Sequence, residues 1–272
     1  MEAHRIFFER PFDYKYAREY SGTLMTPTLW ITAAYVILVF GTKAYMKDRK
    51  PFDLRRPLQL WNLGLALYSG AAFLIATKEI LSTWFNKGLT ATYTDINSFY
   101  EGTCGAWAYL FMISKYYELG DTAFLVLRKR PLLLMHWLHH LTTLNLVLAG
   151  YHYDTHLYSW LLWMNTFIHT LMYSYYLLAS CGYRLPAGFA KKITTMQIIQ
   201  FCIGLSILAH IGVLKLFTDR EVHCNWRMWW GTVFMEILYL TLFSHFYYVS
   251  YIKDGGKKFV RDQNEKKQVK AQ

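Results

Sequence analysis

"LLLMHWLHHLTTLNLVLAG", residues 132–150, decides how the rest of the chain is read. It is apolar over nearly the roughly 20 residues that cross about 30 Å of hydrocarbon as a helix. Yet it carries His136, His139 and His140 within five positions. Imidazoles in such a stretch bind a metal, act on a substrate that itself lives in the membrane, or pack as ordinary core residues.

Composition favours a bilayer as solvent. Of 272 residues, 54% are hydrophobic, 18% aromatic and only 17% charged, against about a quarter charged in a soluble domain. Apolar runs near membrane-crossing length recur at 27–46, 58–82, 104–128, 132–151, 156–178, 193–217 and 228–252. These imply an all-α, polytopic membrane protein with seven transmembrane helices. Residues 1–252 form one membrane domain, opened by a short segment, 1–26, whose charges exclude a cleavable signal peptide. Residues 253–272 read as a basic, solvated and disordered tail.

The links between runs test that count through the excess of Lys and Arg on the cytosolic side. From the first link to the tail, basic residues number 5, 1, 3, 0, 3, 2 and 7. Such alternation is what seven crossings require, with a non-cytosolic amino terminus and a cytosolic carboxyl tail. The formal charge of +11 then reflects topology and anionic lipid. No basic soluble module is present to bind nucleic acid. Cys104 and Cys224 fall near the non-cytosolic face, where an oxidising lumen permits a bridge, although spacing alone does not establish one.

Ionisable and amide side chains interrupt the apolar runs, and inside a membrane such groups tend to mark function. In "KYYELGDT" (115–122), Lys115, Glu118, Asp121 and Thr122 occupy one helical face about 120° wide. His136, His139 and His140 share a face of the next run. Asn165, His169, Met172 and Tyr176 share one on the fifth, with Tyr173 at its edge. Thr194, Gln197 and Gln200 make a further stripe. The expected topology puts all four stripes in the cytosolic half of the bilayer, where they make one buried site opened from the cytosol. An ion cluster gluing helices, an aromatic belt at the interface and interhelical hydrogen bonds are the structural alternatives for individual stripes.

Two chemistries compete for the histidines. A membrane di-iron desaturase or hydroxylase also carries H-x-x-H-H, but a di-iron centre needs more ligands than His136, His139, His140, His169 and His245 supply. His152 and His156 have suitable spacing but lie near the other face, and no metal is expected. Without one, neutral imidazoles in a dry site beside carboxylates suit nucleophilic and acid–base catalysis. A channel or transporter with a polar centre is the alternative of a different class. His210 and His245 read as packing residues, and His223 as a lumenal loop residue.

"KYYELGDT", "HWLHH", "NTFIHTLMYSYY" and "TTMQIIQ" resemble, in order and spacing, the four signature blocks of the fatty acid elongase (ELO) family. The resemblance covers about residues 47–252, and HWLHH with Gly120 is more similar to the branch acting on saturated and monounsaturated chains. It implies condensation of long-chain acyl-CoA with malonyl-CoA to 3-oxoacyl-CoA, carbon dioxide and CoA, the first step of very-long-chain elongation. It further implies seven helices around an acyl-chain tunnel, no cofactor beyond the two CoA substrates, and partner reductases and dehydratase. Endoplasmic reticulum localisation is implied too, although Lys270 follows Val269 and completes no dilysine signal. The implied mechanism is ping-pong through an acyl-histidine on His139. His136 and His140 orient or move protons with Glu118 and Asp121; Asn165 and His169 polarise the carbonyl or stabilise the enolate. Lys115 balances the carboxylates or attracts the malonyl carboxylate. Tyr173, Tyr176, Thr194, Gln197 and Gln200 would line the substrate path. Arg128, Lys129, Arg130, Lys191 and Lys192 would flank its mouth, where CoA phosphates are gripped or where topology alone puts charge. A homo-oligomer is compatible with all of this.

Overall fold

The computed structural model describes residues 12–95, 97–183, 185–218, 222 and 225–253. Cys224, His223 and the basic tail from 254 lie outside the described residues. Among those described, all regular structure is helical. In order these are α1 (Tyr14–Thr23), α2 (Met25–Tyr45), α3 (Arg55–Lys87), the short α4 (Ala91–Thr94) and α5 (Asn97–Tyr100), and α6 (Gly102–Glu118). Then follow α7 (Gly120–Leu127), α8 (Leu134–His152), α9 (Tyr158–Cys181), α10 (Ala187–Phe217), α11 (Trp226–Tyr247) and a π-helical turn, Tyr248–Ile252.

Among the described residues, four segments are long and apolar enough to cross a bilayer: Met25–Tyr45, Arg55–Lys87, Gly188–Phe217 and Trp226–Ile252. The other expected crossings fall on α6 with α7, on α8 and on α9, which carry the polar stripes. The expected run 104–128 is not one helix. It breaks at Leu119, between Glu118 and Gly120, and α1 forms within a segment for which no helix was expected.

The outer surface exposes large apolar side chains, while the buried polar and charged groups lie within a mostly apolar core. Trp30 is 74% exposed and Phe85 81%, a surface suited to lipid and not to water. The buried stripe of α3 is Asn62, Ala66, Ser69, Ala72, Ala76, Ile80 and Thr83. Small side chains of this kind let two backbones approach closely, which is how helices associate where lipid removes the hydrophobic drive. α9 uses that stripe, and the α3–α9 pair is the most extensive helix contact.

Side chains from neighbouring helices close the free carbonyls at helix ends. At the carboxyl end of α9, Arg55 Nε (2.9 Å) and Gln59 Nε2 (3.0 Å) donate to the Ser180 carbonyl. At that of α8, Arg18 Nε donates to the His152 carbonyl at 2.8 Å, and Arg18 Nη1 lies 2.7 Å from Asp154 Oδ2. A tyrosine-rich core of Tyr100, Tyr109, Tyr151 and Tyr158 fills the same end of the bundle as that second cap. The polar site occupies the other end.

Gly120, directly after the break, is packed against Trp61 of α3. A Cβ on Gly120 would stand 2.7 Å from Trp61 Cζ2, so only glycine lets the indole lie there undisturbed. Gly120→Ala is expected to cost about 1–3 kcal/mol through overpacking, and the cost should shrink in a Trp61→Leu background. Thermal unfolding of the four purified combinations in detergent checks this; equal costs in both backgrounds would contradict it.

Candidate active site

The site is built outward from one ion pair. Lys115 and Glu118 are each 3% exposed, and Lys115 Nζ donates to Glu118 Oε1 at 2.7 Å. Their spacing is one helical turn, so α6 itself brings the pair together. Lys115 Nζ also donates to Asn165 Oδ1 of α9 at 2.9 Å, and Ser114 Oγ donates to Glu118 Oε1 at 3.1 Å. His169, one turn along α9, has Nε2 at 3.1 Å from Asn165 Nδ2 and Nδ1 at 3.8 Å from Glu118 Oε1. Lys115, Glu118, His169 and Asn165 therefore make a closed polar ring between two helices.

A second anchor begins after the break. Asp121 lies in the first turn of α7, where unpaired backbone N–H groups favour a negative charge. Trp61 Nε1 donates to Asp121 Oδ1 at 2.6 Å and Tyr173 Oη to Oδ2 at 2.7 Å. His140 Nε2 stands 3.9 Å from the same Oδ2. The neighbouring Thr122 hydroxyl bonds Tyr35 Oη at 2.7 Å and His136 Nε2 at 3.1 Å. His136 and His140 pack with ring centroids 4.5 Å apart.

His139 differs from the other imidazoles. Its ring lies edge-on to Tyr239 (5.0 Å between centroids) and Phe243 (5.6 Å) of α11. Among the described residues no hydrogen bond or ion pair engages that ring. Tyr239 is itself held, its hydroxyl bonding Thr142 Oγ1 at 2.9 Å and Thr143 Oγ1 at 3.0 Å. His139 thus stands where the polar network meets an aromatic wall.

Three stripes read from sequence meet here: Lys115, Glu118, Asp121 and Thr122; His136 and His140, with His139 beside them; and Asn165, His169 and Tyr173. Other expected residues stand apart. Tyr176 is 47% exposed, and it is Tyr173 that reaches Asp121. Thr194 and Gln200 are buried, but the nearest link of their stripe is Gln197 Nε2 to Met172 Sδ at 3.9 Å. Lys129 Nζ is occupied by the Lys47 and Arg49 carbonyls at 2.8 and 3.1 Å. Arg130, Lys191 and Lys192 are exposed and Arg128 is half-buried. His152 lies at the far end of α8, its Nδ1 3.0 Å from the Arg18 carbonyl.

Trp61, Tyr35, Ser114 and Tyr239 were not anticipated. A general signal existed for Trp61 and Tyr239: an indole N–H or phenol O–H inside an apolar run must find an acceptor. Which acceptor it finds depends on helix pairing. Among the described residues, no three His, Cys, Asp or Glu side chains are grouped to hold a metal ion.

Fold and site together define a multi-pass membrane protein with histidines and carboxylates turned inward into one site. The chain belongs to the ELO family (GNS1/SUR4 family), which it matches over residues 22–259. It is 41% identical over 230 residues to the long chain fatty acid elongase 1 of Caenorhabditis elegans, covering 85% of this chain and 80% of that protein. It is 34% identical over 248 residues to the very long chain fatty acid elongase 6 of Mus musculus, covering 90% and 92%. Similar identity, 34% over 254 residues, relates it to the very long chain fatty acid elongase 6 of Drosophila melanogaster, covering 92% and 80%.

Removing one partner of the buried ion pair leaves the other uncompensated. Lys115→Met and Glu118→Gln are each expected to destabilise by about 3–5 kcal/mol. Lys115→Met with Glu118→Leu should cost clearly less than the two single losses combined. Unfolding temperatures of the purified variants check the cycle; simple additivity would contradict the pair.

Proposed function

We propose that this protein is the condensing enzyme of fatty acid elongation, joining long-chain acyl-CoA to malonyl-CoA. Its products are 3-oxoacyl-CoA, carbon dioxide and free CoA. The observation that carries this reading is the gathering of four imidazoles, two carboxylates and a lysine from four helices into one buried site beside an aromatic wall. Family membership and the names of the relatives point the same way.

His139 attacks the acyl thioester and holds the acyl group as an acyl-imidazole while CoA leaves. Its ring supports the assignment, because it faces the aromatic wall of Tyr239 and Phe243, whereas hydrogen bonds hold His136 and His169. His140, steered by Asp121, and His136, tied through Thr122, orient the nucleophile and move its proton. Malonyl-CoA then decarboxylates, and its carbanion attacks the acyl carbonyl. Asn165 and His169 polarise that carbonyl or stabilise the enolate, and Lys115 balances the carboxylates. No cofactor beyond the substrates takes part.

The acyl chain runs in a tunnel between seven membrane-crossing helices, with each buried methylene contributing about 0.8 kcal/mol. The CoA heads enter from the cytosol near Arg128, Arg130, Lys191 and Lys192, and Tyr176, Gln197 and Gln200 border the substrate path. The protein resides in the endoplasmic reticulum membrane with its amino terminus lumenal and its tail, 253–272, cytosolic. There it hands its product to a reductase, and the cycle continues through a dehydratase and a second reductase.

Purified protein given palmitoyl-CoA and carboxyl-labelled malonyl-CoA should release labelled carbon dioxide and form a chain two carbons longer. His139→Ala should lower that rate at least about a hundredfold, the scale set by losing covalent and acid–base catalysis. A variant that keeps its rate would sink His139 as nucleophile, and no condensation by wild type would sink the reading.

A further inference from the structure

The buried face of α11 is a stripe of Thr232, Glu236, Tyr239 and Phe243. Tyr239 and Phe243 wall His139. Thr232 donates to the Met228 carbonyl at 2.8 Å and, with Leu146, Tyr158 and Leu161, borders a small apolar cavity. Glu236 alone has no such assignment. It is 2% exposed, and its Oε2 is buried without a hydrogen-bond partner. From α10, Gly204 backs the carboxyl so closely that a Cβ there would lie 2.9 Å from Oε2.

An unpaired polar atom inside an apolar bundle is costly, and ionisable residues in membrane segments mark sites of function. Glu236 precedes Tyr239 by three residues, about 4.5 Å along the helix. On the elongase reading, an acyl chain leaving His139 along this face would pass Tyr239, then Glu236, then Thr232. A carboxyl in either protonation state accepts a hydrogen bond from an alcohol O–H. A plain polymethylene chain at that depth leaves Oε2 unpaired, whereas a hydroxyl on the chain would satisfy both groups. Sites built to pair a substrate hydroxyl discriminate strongly against analogues that lack it.

We propose that Glu236 is a specificity-determining residue of the acyl path, selecting acyl chains that carry a hydroxyl group alongside it. This rests on the elongase reading above. The test uses the full-length purified protein, malonyl-CoA, and CoA esters of hexadecanoic acid, either plain or with a single hydroxyl moved stepwise along the chain. For wild type, kcat/KM relative to the plain ester should peak at one hydroxyl position, by about tenfold or more. Glu236→Leu should flatten that peak, and Glu236→Gln, whose amide still pairs with a hydroxyl, should keep part of it. Ligand-induced shifts in unfolding temperature, read for each ester without malonyl-CoA, should show the same peak independently of condensation and also report that each variant is folded. A flat wild-type profile, or a peak that survives Glu236→Leu, overturns the proposal. Binding that peaks without any condensation would support the subsite while sinking the elongase reading.

Discussion

A lysine and a glutamate one turn apart, sealed inside an apolar bundle, constrain everything around them. Lys115 and Glu118 cannot face lipid without a heavy cost, so α6 must be an interior helix along that side. Nor is the pair sufficient alone, since an ammonium keeps donors that need acceptors. Asn165 takes one, Ser114 adds a donor to the glutamate, and His169 closes the ring. The register of α9 against α6 follows from these partners. Once α9 is set, Tyr173 falls one turn beyond His169 and reaches Asp121.

The break at Leu119 is the second condition. The backbone at Leu119 stays in the right-handed helical region while the hydrogen-bond ladder is interrupted, and Asp121 follows in the first turn of α7. There the carboxylate gathers Trp61 from α3, Tyr173 from α9 and His140 from α8. Gly120 makes room for the indole. One carboxylate thus ties α3 and α9 to α7, with the His140 ring of α8 3.9 Å away. Small residues along α3 let α9 pack close.

Much of this was legible in the residues because it depends on period. Helical spacing of 3.6 put Lys115 with Glu118, His136 with His140 and Asn165 with His169, and the structure joins each of these pairs in one network. Contacts between helices far apart in sequence were not legible. Nothing local to Trp61 or Tyr239 says which acceptor they will find, and the choice of Tyr173 over Tyr176 depends on how α9 is rotated against α7. The interruption at Leu119 was hidden because a glycine within an apolar run is compatible with an unbroken membrane helix. Helix α1 was not expected, because the charges of residues 1–26 were read only as excluding a signal peptide, whereas Arg18 ties the helix to the end of α8.

On the proposed mechanism these buried imidazoles form a covalent site, with His139 as the acyl carrier and its neighbours as supports. Incubation with palmitoyl-CoA alone, followed by peptide mass mapping, tests it most directly. About one equivalent of free CoA per protein should appear before any malonyl-CoA is added, with a palmitoyl group on the peptide at His139. No CoA release until malonyl-CoA arrives, or an acyl group on any other residue, would contradict it.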